Sequence, residues 1–182
     1  MTNNSNGILR EVSMDYPLYQ SEKGNYFIGQ TPLLTGEDEH ALGALLNPIY
    51  SKKKIYVNAM TITNISELSL SAEFYLRSSF NNGETSDLVS CTNTAIFPEP
   101  IPKGKIKYLT TTADPITDGV PIFTRIVPPY STLVVDGGQI ILGAGQSVVI
   151  YLGGIISVVP DSAKIAFGWW EEKNFDCSNC SC

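Results

Sequence analysis

From Leu68 to Leu76 the chain reads LSLSAEFYL. Leu68, Leu70, Ala72, Phe74 and Leu76 fall on one side of the alternation; Ser69, Ser71, Glu73 and Tyr75, continued by Arg77, fall on the other. A period of two marks a half-buried strand, whose successive side chains point to opposite faces. Just upstream, KIYVNAMTITN carries Ile55, Val57 and Ala59 in one phase, then Met60 and Ile62 in the other. One extra residue near Ala59, a β-bulge, restores a single buried face. NISEL, Asn64 to Leu68, then connects the two strands.

Runs of the same character recur at 88–97, 105–111, 120–127, 131–135, 139–142, 147–155 and 164–170. DGG at 136–138 predicts a hairpin between two of them, and GAGQ at 143–146 predicts a second tight connection. NNGE at 81–84 and PEPIPKG at 98–104 are loops. In KIAFGWW, Ile165, Phe167 and Trp169 share a face, which puts Trp169 in the core and turns Trp170 the other way. Helical periodicity is nearly absent. EDEHALGALL (37–46), with Leu42, Leu45 and Leu46, comes nearest and predicts one short helix or turn, interrupted by Gly43 and followed by Pro48. Strands with regular turn spacing and few helices predict an all-β chain forming a single antiparallel β-sandwich of jelly-roll type. Its predicted divisions are a polar, flexible N-terminal arm (1–20), the sandwich (21–173) and a cysteine-rich C-terminal tail (174–182).

The segments YFIGQTPLL, ALGALLNP, VNAMTITNIS, RIVPPYSTLV and AFGWWEE resemble those of an uncharacterised family of small β-rich proteins from spore-forming Firmicutes. The similarity spans roughly residues 20 to 172, and RIVPP and FGWWEE are its most specific parts. The resemblance implies a bacterial origin and a β-rich fold. It brings no catalytic residues with it, and the cysteine-rich ending lies outside it.

Composition narrows the function. Hydrophobic residues make up 43% of the chain and charged residues 16%. Soluble domains average roughly 25% charged residues, so this exterior is mostly Ser, Thr, Asn and Gly. The formal charge is −6. Phosphate backbones require clustered Lys and Arg, so nucleic acid is not an expected partner. Lys52, Lys53 and Lys54 form a basic run that reads as a solvated strand entry. No stretch reaches the ~18 apolar residues of a membrane helix, so no membrane insertion is expected. MTNNSNGILREVSMD lacks the basic-then-apolar order of a signal peptide. Location at a spore or cell surface would then need another route, such as release of a spore by its mother cell; the alternative is the cytoplasm.

Candidate chemistry is sparse, and no catalytic, cofactor or metal site is expected. His40 is the single histidine and sits in GEDEH, where it reads as an exposed loop residue. Glu37, Asp38 and Glu39 read as a solvated acidic loop, and Asp114 and Asp118 in ADPITDG as turn formers. Glu171 and Glu172 are adjacent, so on a strand they point to opposite faces and cannot form a facing catalytic pair. Among the aromatics, Trp170 beside Tyr75 or Tyr151 is the candidate stacking platform for a sugar.

Cys177, Cys180 and Cys182 form a C-x-x-C-x-C ending, with Cys91 in a strand. Structural zinc normally takes four ligands, and a redox C-x-x-C opens a helix in a βαβ setting. Several thiols on a terminal arm fit inter-chain disulfides better, with Cys91 either a small buried hydrophobe or a partner for an incoming tail. The expectation is therefore a non-enzymatic, self-assembling structural protein of a spore or cell surface, whose partner is itself. The rival is a carbohydrate- or surface-ligand-binding sandwich module.

Overall fold

Strand follows strand, with one short helix in front. The structure, a computed structural model, describes residues 13–35, 40–80, 83–111, 116, 118–155 and 162–174. The elements are α1 (Tyr16–Glu22), β1 (Tyr26–Gln30), β2 (His40–Leu46), β3 (Lys53–Asn64), β4 (Leu70–Leu76), β5 (Glu84–Thr85) and β6 (Val89–Cys91). They continue with β7 (Lys105–Thr111), β8 (Val120–Val127), β9 (Ser131–Leu142), β10 (Ser147–Leu152) and β11 (Ala163–Lys173). A five-stranded sheet has the order β6-β1-β11-β3-β9, and a six-stranded sheet the order β5-β7-β2-β10-β4-β8. Every strand pairing among the described residues is antiparallel. The two sheets form a β-sandwich. No helix among the described residues is long and apolar enough to cross a membrane.

The inward residues of both sheets make the main core, including Trp169, Phe74, Leu45, Ile55, Ile62 and Ile150. Removing each such side chain from water contributes about 1.5–3 kcal/mol. The phase slip in β3 is a bulge. Gly168 faces Ala59 and Trp169 faces Val57, so Asn58 has no counterpart on β11. Ile55 and Val57 are buried before it, Met60 and Ile62 after it.

Four expectations need correction. Residues 40–46, read as a helix or turn, are strand β2 with Ala41 to Leu45 all buried. A second cluster of Leu42, Ala44, Phe80, Val149 and Tyr151 covers its outer side, and a strand buried on both faces shows no alternation. The DGG hairpin is also absent. Residues 131–142 form one strand, because both halves pair with β3; Ala59 faces Asp136 and Val57 faces Ile140, and the glycines lie in the irregularity between. Only Val89–Cys91 of the 88–97 run is strand, turning at Thr94. Finally, α1 stands across the predicted boundary at residue 20, with Gln20 buried.

Candidate functional site

β11 alternates strictly through its centre. Ile165, Phe167 and Trp169 point to the core, so Ala166, Gly168, Trp170 and Glu172 look outward. Glu171 is inward and 3% exposed. Its Oε1 accepts the Lys103 N–H at 2.8 Å, the Gly104 N–H at 2.7 Å and the Trp169 Nε1–H at 3.3 Å. That carboxylate pins the loop leading into β7.

Outward, Trp170 lies beneath other aromatics. Tyr56 stacks on it at 5.1 Å with 3° between the planes, Tyr26 lies at 6.3 Å, and Tyr16 meets it edge-on at 5.8 Å. Its Nε1–H donates to Glu172 Oε1 at 3.1 Å. The same oxygen accepts the Tyr16 hydroxyl at 2.7 Å and Gln20 Nε2 at 3.1 Å. α1 is thus held to β11 through one carboxylate. The Tyr16 hydroxyl titrates above the ordinary tyrosine range, first because it donates to Glu172; Tyr56 is raised first by burial, then by the charge of Glu172.

Beyond the aromatics the sheet surface sinks into a trough of about 620 Å³. Ala59, Ala166 and Gly168 supply its small side chains, while Ile28 and Leu88 bring apolar surface and Gln30 a polar group. A Cβ at Gly168 would lie 2.8 Å from the Tyr26 hydroxyl, so a side chain there would push that ring aside. That hydroxyl accepts Asn58 Nδ2 from the bulge at 3.0 Å. Farther along the same face come Thr61 and, opposite it on β9, Val134.

Residues 2–176 match the model of a family of unknown function. The protein belongs to the DUF6143 family. No curated protein and no solved structure matches it. The match takes in the aromatic cluster, the trough and β9; Cys177, Cys180 and Cys182 lie beyond it.

In this DUF6143 chain the predicted stacking residues do not meet. Trp170 is on the five-stranded sheet and 7% exposed, whereas Tyr75 and Tyr151 belong to β4 and β10 of the other sheet. Tyr151 is buried in the second cluster, and the Tyr75 hydroxyl donates to Glu73 Oε2 at 3.0 Å. The platform is corrected: tyrosines of its own chain occupy the indole face. Sequence reasoning gave the phase of Trp170 but missed Tyr16, Tyr26, Tyr56 and the trough.

His40 is not an exposed loop residue. It opens β2, half-buried, with its ring 5.2 Å from Tyr151 and its Nδ1 without a hydrogen-bond partner among the described residues. Asp118 accepts the Ser79 N–H at 3.0 Å, the Ser78 hydroxyl at 3.2 Å and the Ser79 hydroxyl, and titrates below the usual carboxylate range chiefly through the Ser79 hydroxyl. Glu37, Asp38, Glu39 and Asp114 lie outside the described residues, as do Cys177, Cys180 and Cys182. Cys91 is in the main core at 3% exposure, opposite Phe27. It therefore cannot meet an incoming thiol without opening the sandwich, which corrects its place among the inter-chain candidates. Among the described residues no group of three or more His, Cys, Asp or Glu is positioned to hold a metal ion.

Proposed function

We propose that this protein is a non-enzymatic, self-associating structural protein of a bacterial spore or cell surface, its contacts locked by the thiols of Cys177, Cys180 and Cys182. The observation that carries the reading is the outer face of the five-stranded sheet. It presents Ile28 and Leu88 on the β1–β6 flank and Val134 on the long edge strand β9, each about half exposed. Apolar surface of this kind, left open on a folded domain, marks an interaction site. The side chains nearest to chemistry are already committed to holding the fold: Glu171 to a loop, Glu172 to α1, Asp118 to the Ser78–Ser79 turn.

We read the sandwich as a jelly roll. Eight strands support this, ordered β1-β11-β3-β9 and β2-β10-β4-β8, with β5, β6 and β7 added at the flank. The first half of the chain is thereby laid against the second in reverse. Jelly rolls build both shells and lectins, so the fold favours neither reading. A glycan- or surface-ligand-binding module is the rival, favoured by the trough and weakened by the covered Trp170. Sedimentation across a wide concentration range, under oxidising and reducing conditions, tests the first reading: association is expected, and a monomer throughout refutes it. A glycan array tests the second.

A further inference from the structure

Among the described residues the sheets end on four strands: β6 and β9 in one, β5 and β8 in the other. Open edges invite strand addition unless they are short, charged, kinked or interrupted by proline. β5 has two residues and β6 three. β8 has eight, but Pro121 offers no N–H, a register shift interrupts its pairing opposite Phe74 and Tyr75, and Arg125 folds its guanidinium back onto the Thr124 carbonyl at 2.9 Å. β9 has no such guard from Ser131 to Val135. Its pairing with β3 is regular there, the irregularity beginning only after Asp136. Ser131 to Val135 carries no charge, so two copies of a chain with net charge −6 meet no like-charge barrier along it. The inward Leu133 and Val135 are only partly buried, and Val134 is 58% exposed on the outer face.

We propose that a second copy of this chain adds to β9, antiparallel, about a two-fold axis through Val134. This rests on the structural reading above and names its edge and register. Directly opposed residues of an antiparallel pair share a face, so the axis passes through a residue rather than between two. With Val134 on the axis, it faces Val134 of the second copy. Leu133 faces Val135 of the second copy on the inner side, and Thr132 faces Asp136 of the second copy on the outer side. Apolar then meets apolar, and hydroxyl meets carboxylate. An axis through Leu133 would set Thr132 against Val134, and one through Val135 would set Val134 against Asp136. The occupant is a second copy because β9 is complementary to itself in the one register and to neither neighbour. Such an interface is isologous and closes on two chains.

The test uses the full chain with Cys177, Cys180 and Cys182 replaced by Ser, beside the wild type. Val134→Lys puts two cations face to face at an exposed position; an unchanged thermal melt at low concentration shows that it folds. Sedimentation equilibrium is expected to show dimers that weaken about tenfold or more in this variant. Val134→Cys is expected to cross-link under mild oxidation, since opposed Cβ atoms on such an axis lie within reach of a disulfide. Thr132→Cys alone should not cross-link, but mixed with an Asp136→Cys chain it should. If the wild type associates while Val134→Lys is unaffected and Val134→Cys stays reduced, this edge is refuted and the building-block reading stands. Cross-linking by Thr132→Cys alone refutes the register. A wild type that never associates refutes both readings.

Discussion

Removing the Glu171 carboxylate should cost more than any other single polar change on β11. Its Oε1 takes three N–H donors, from Lys103, Gly104 and Trp169, in a site 3% exposed. A hydrogen bond to a charged acceptor contributes about 1.5–3 kcal/mol, and a buried donor left without a partner costs about 1–3 kcal/mol. The three donors share one oxygen and do not add fully, so Glu171→Ala should lose about 4 kcal/mol. In a chain of this size each kcal/mol moves Tm by about 2–4 °C, which gives a drop of roughly 8–16 °C. Glu171→Gln keeps one acceptor oxygen and loses the charge; about 1–2 kcal/mol is expected. Urea unfolding followed by near-ultraviolet dichroism reads these differences. Trp169→Phe alone and combined with Glu171→Ala completes a cycle whose coupling should be about 1 kcal/mol. A Glu171→Ala protein within about 0.5 kcal/mol of wild type would refute the pinning role.

Trp170→Ala should free α1 and cost about 3 kcal/mol; accelerated proteolysis near Tyr16–Glu22 is the readout, and unchanged cleavage argues against the clasp. Gly168→Ala, whose Cβ would meet the Tyr26 hydroxyl at 2.8 Å, should cost about 1–3 kcal/mol in a thermal melt. Asp118 has a folded pKa below its unfolded value, so its contribution is present above about pH 4 and is lost as pH falls through the folded value. The stability gap between wild type and Asp118→Asn should therefore shrink on acidification, and a gap indifferent to pH contradicts the assignment. On a non-reducing gel, serines at 177, 180 and 182 should abolish covalent multimers, while Cys91→Ser leaves the ladder intact; loss of the ladder in Cys91→Ser overturns the buried placement.

Strands half open to water were legible because their alternation records which side faces the core. β8 was bounded correctly and β4 was located, although its alternation ran two residues too early: Leu68 lies outside the strand and is 54% exposed. The phase slip at Ala59 located the bulge. β2 hid because Leu42 and Ala44 are covered by Phe80 and Tyr151 while Ala41 and Leu45 face the main core; with apolar residues on both sides, no period survives. Asp136-Gly137-Gly138 has hairpin chemistry, yet β3 is long enough to pair with both flanks, and tertiary pairing overrode the local preference. α1 has only seven residues, too few to show a period, and is held by Glu172 from 156 positions away. The candidate site suffered most from such distances. The outward turn of Trp170 is local information, but the rings that cover it come from α1, β1 and β3.

The first residue of β1, Tyr26, lies opposite Trp170 near the end of β11. Asn174 leaves that same end, bonded to the Lys52 carbonyl at 3.0 Å. β1 therefore starts and β11 finishes side by side at one pole. A tension applied between them would peel β1 from β11 one rung at a time, the direction in which a ladder resists least. Two copies joined flank to flank along β9 would instead be loaded in shear, with all their rungs bearing together. A coat made from such units would be tough across its edges and compliant at its poles.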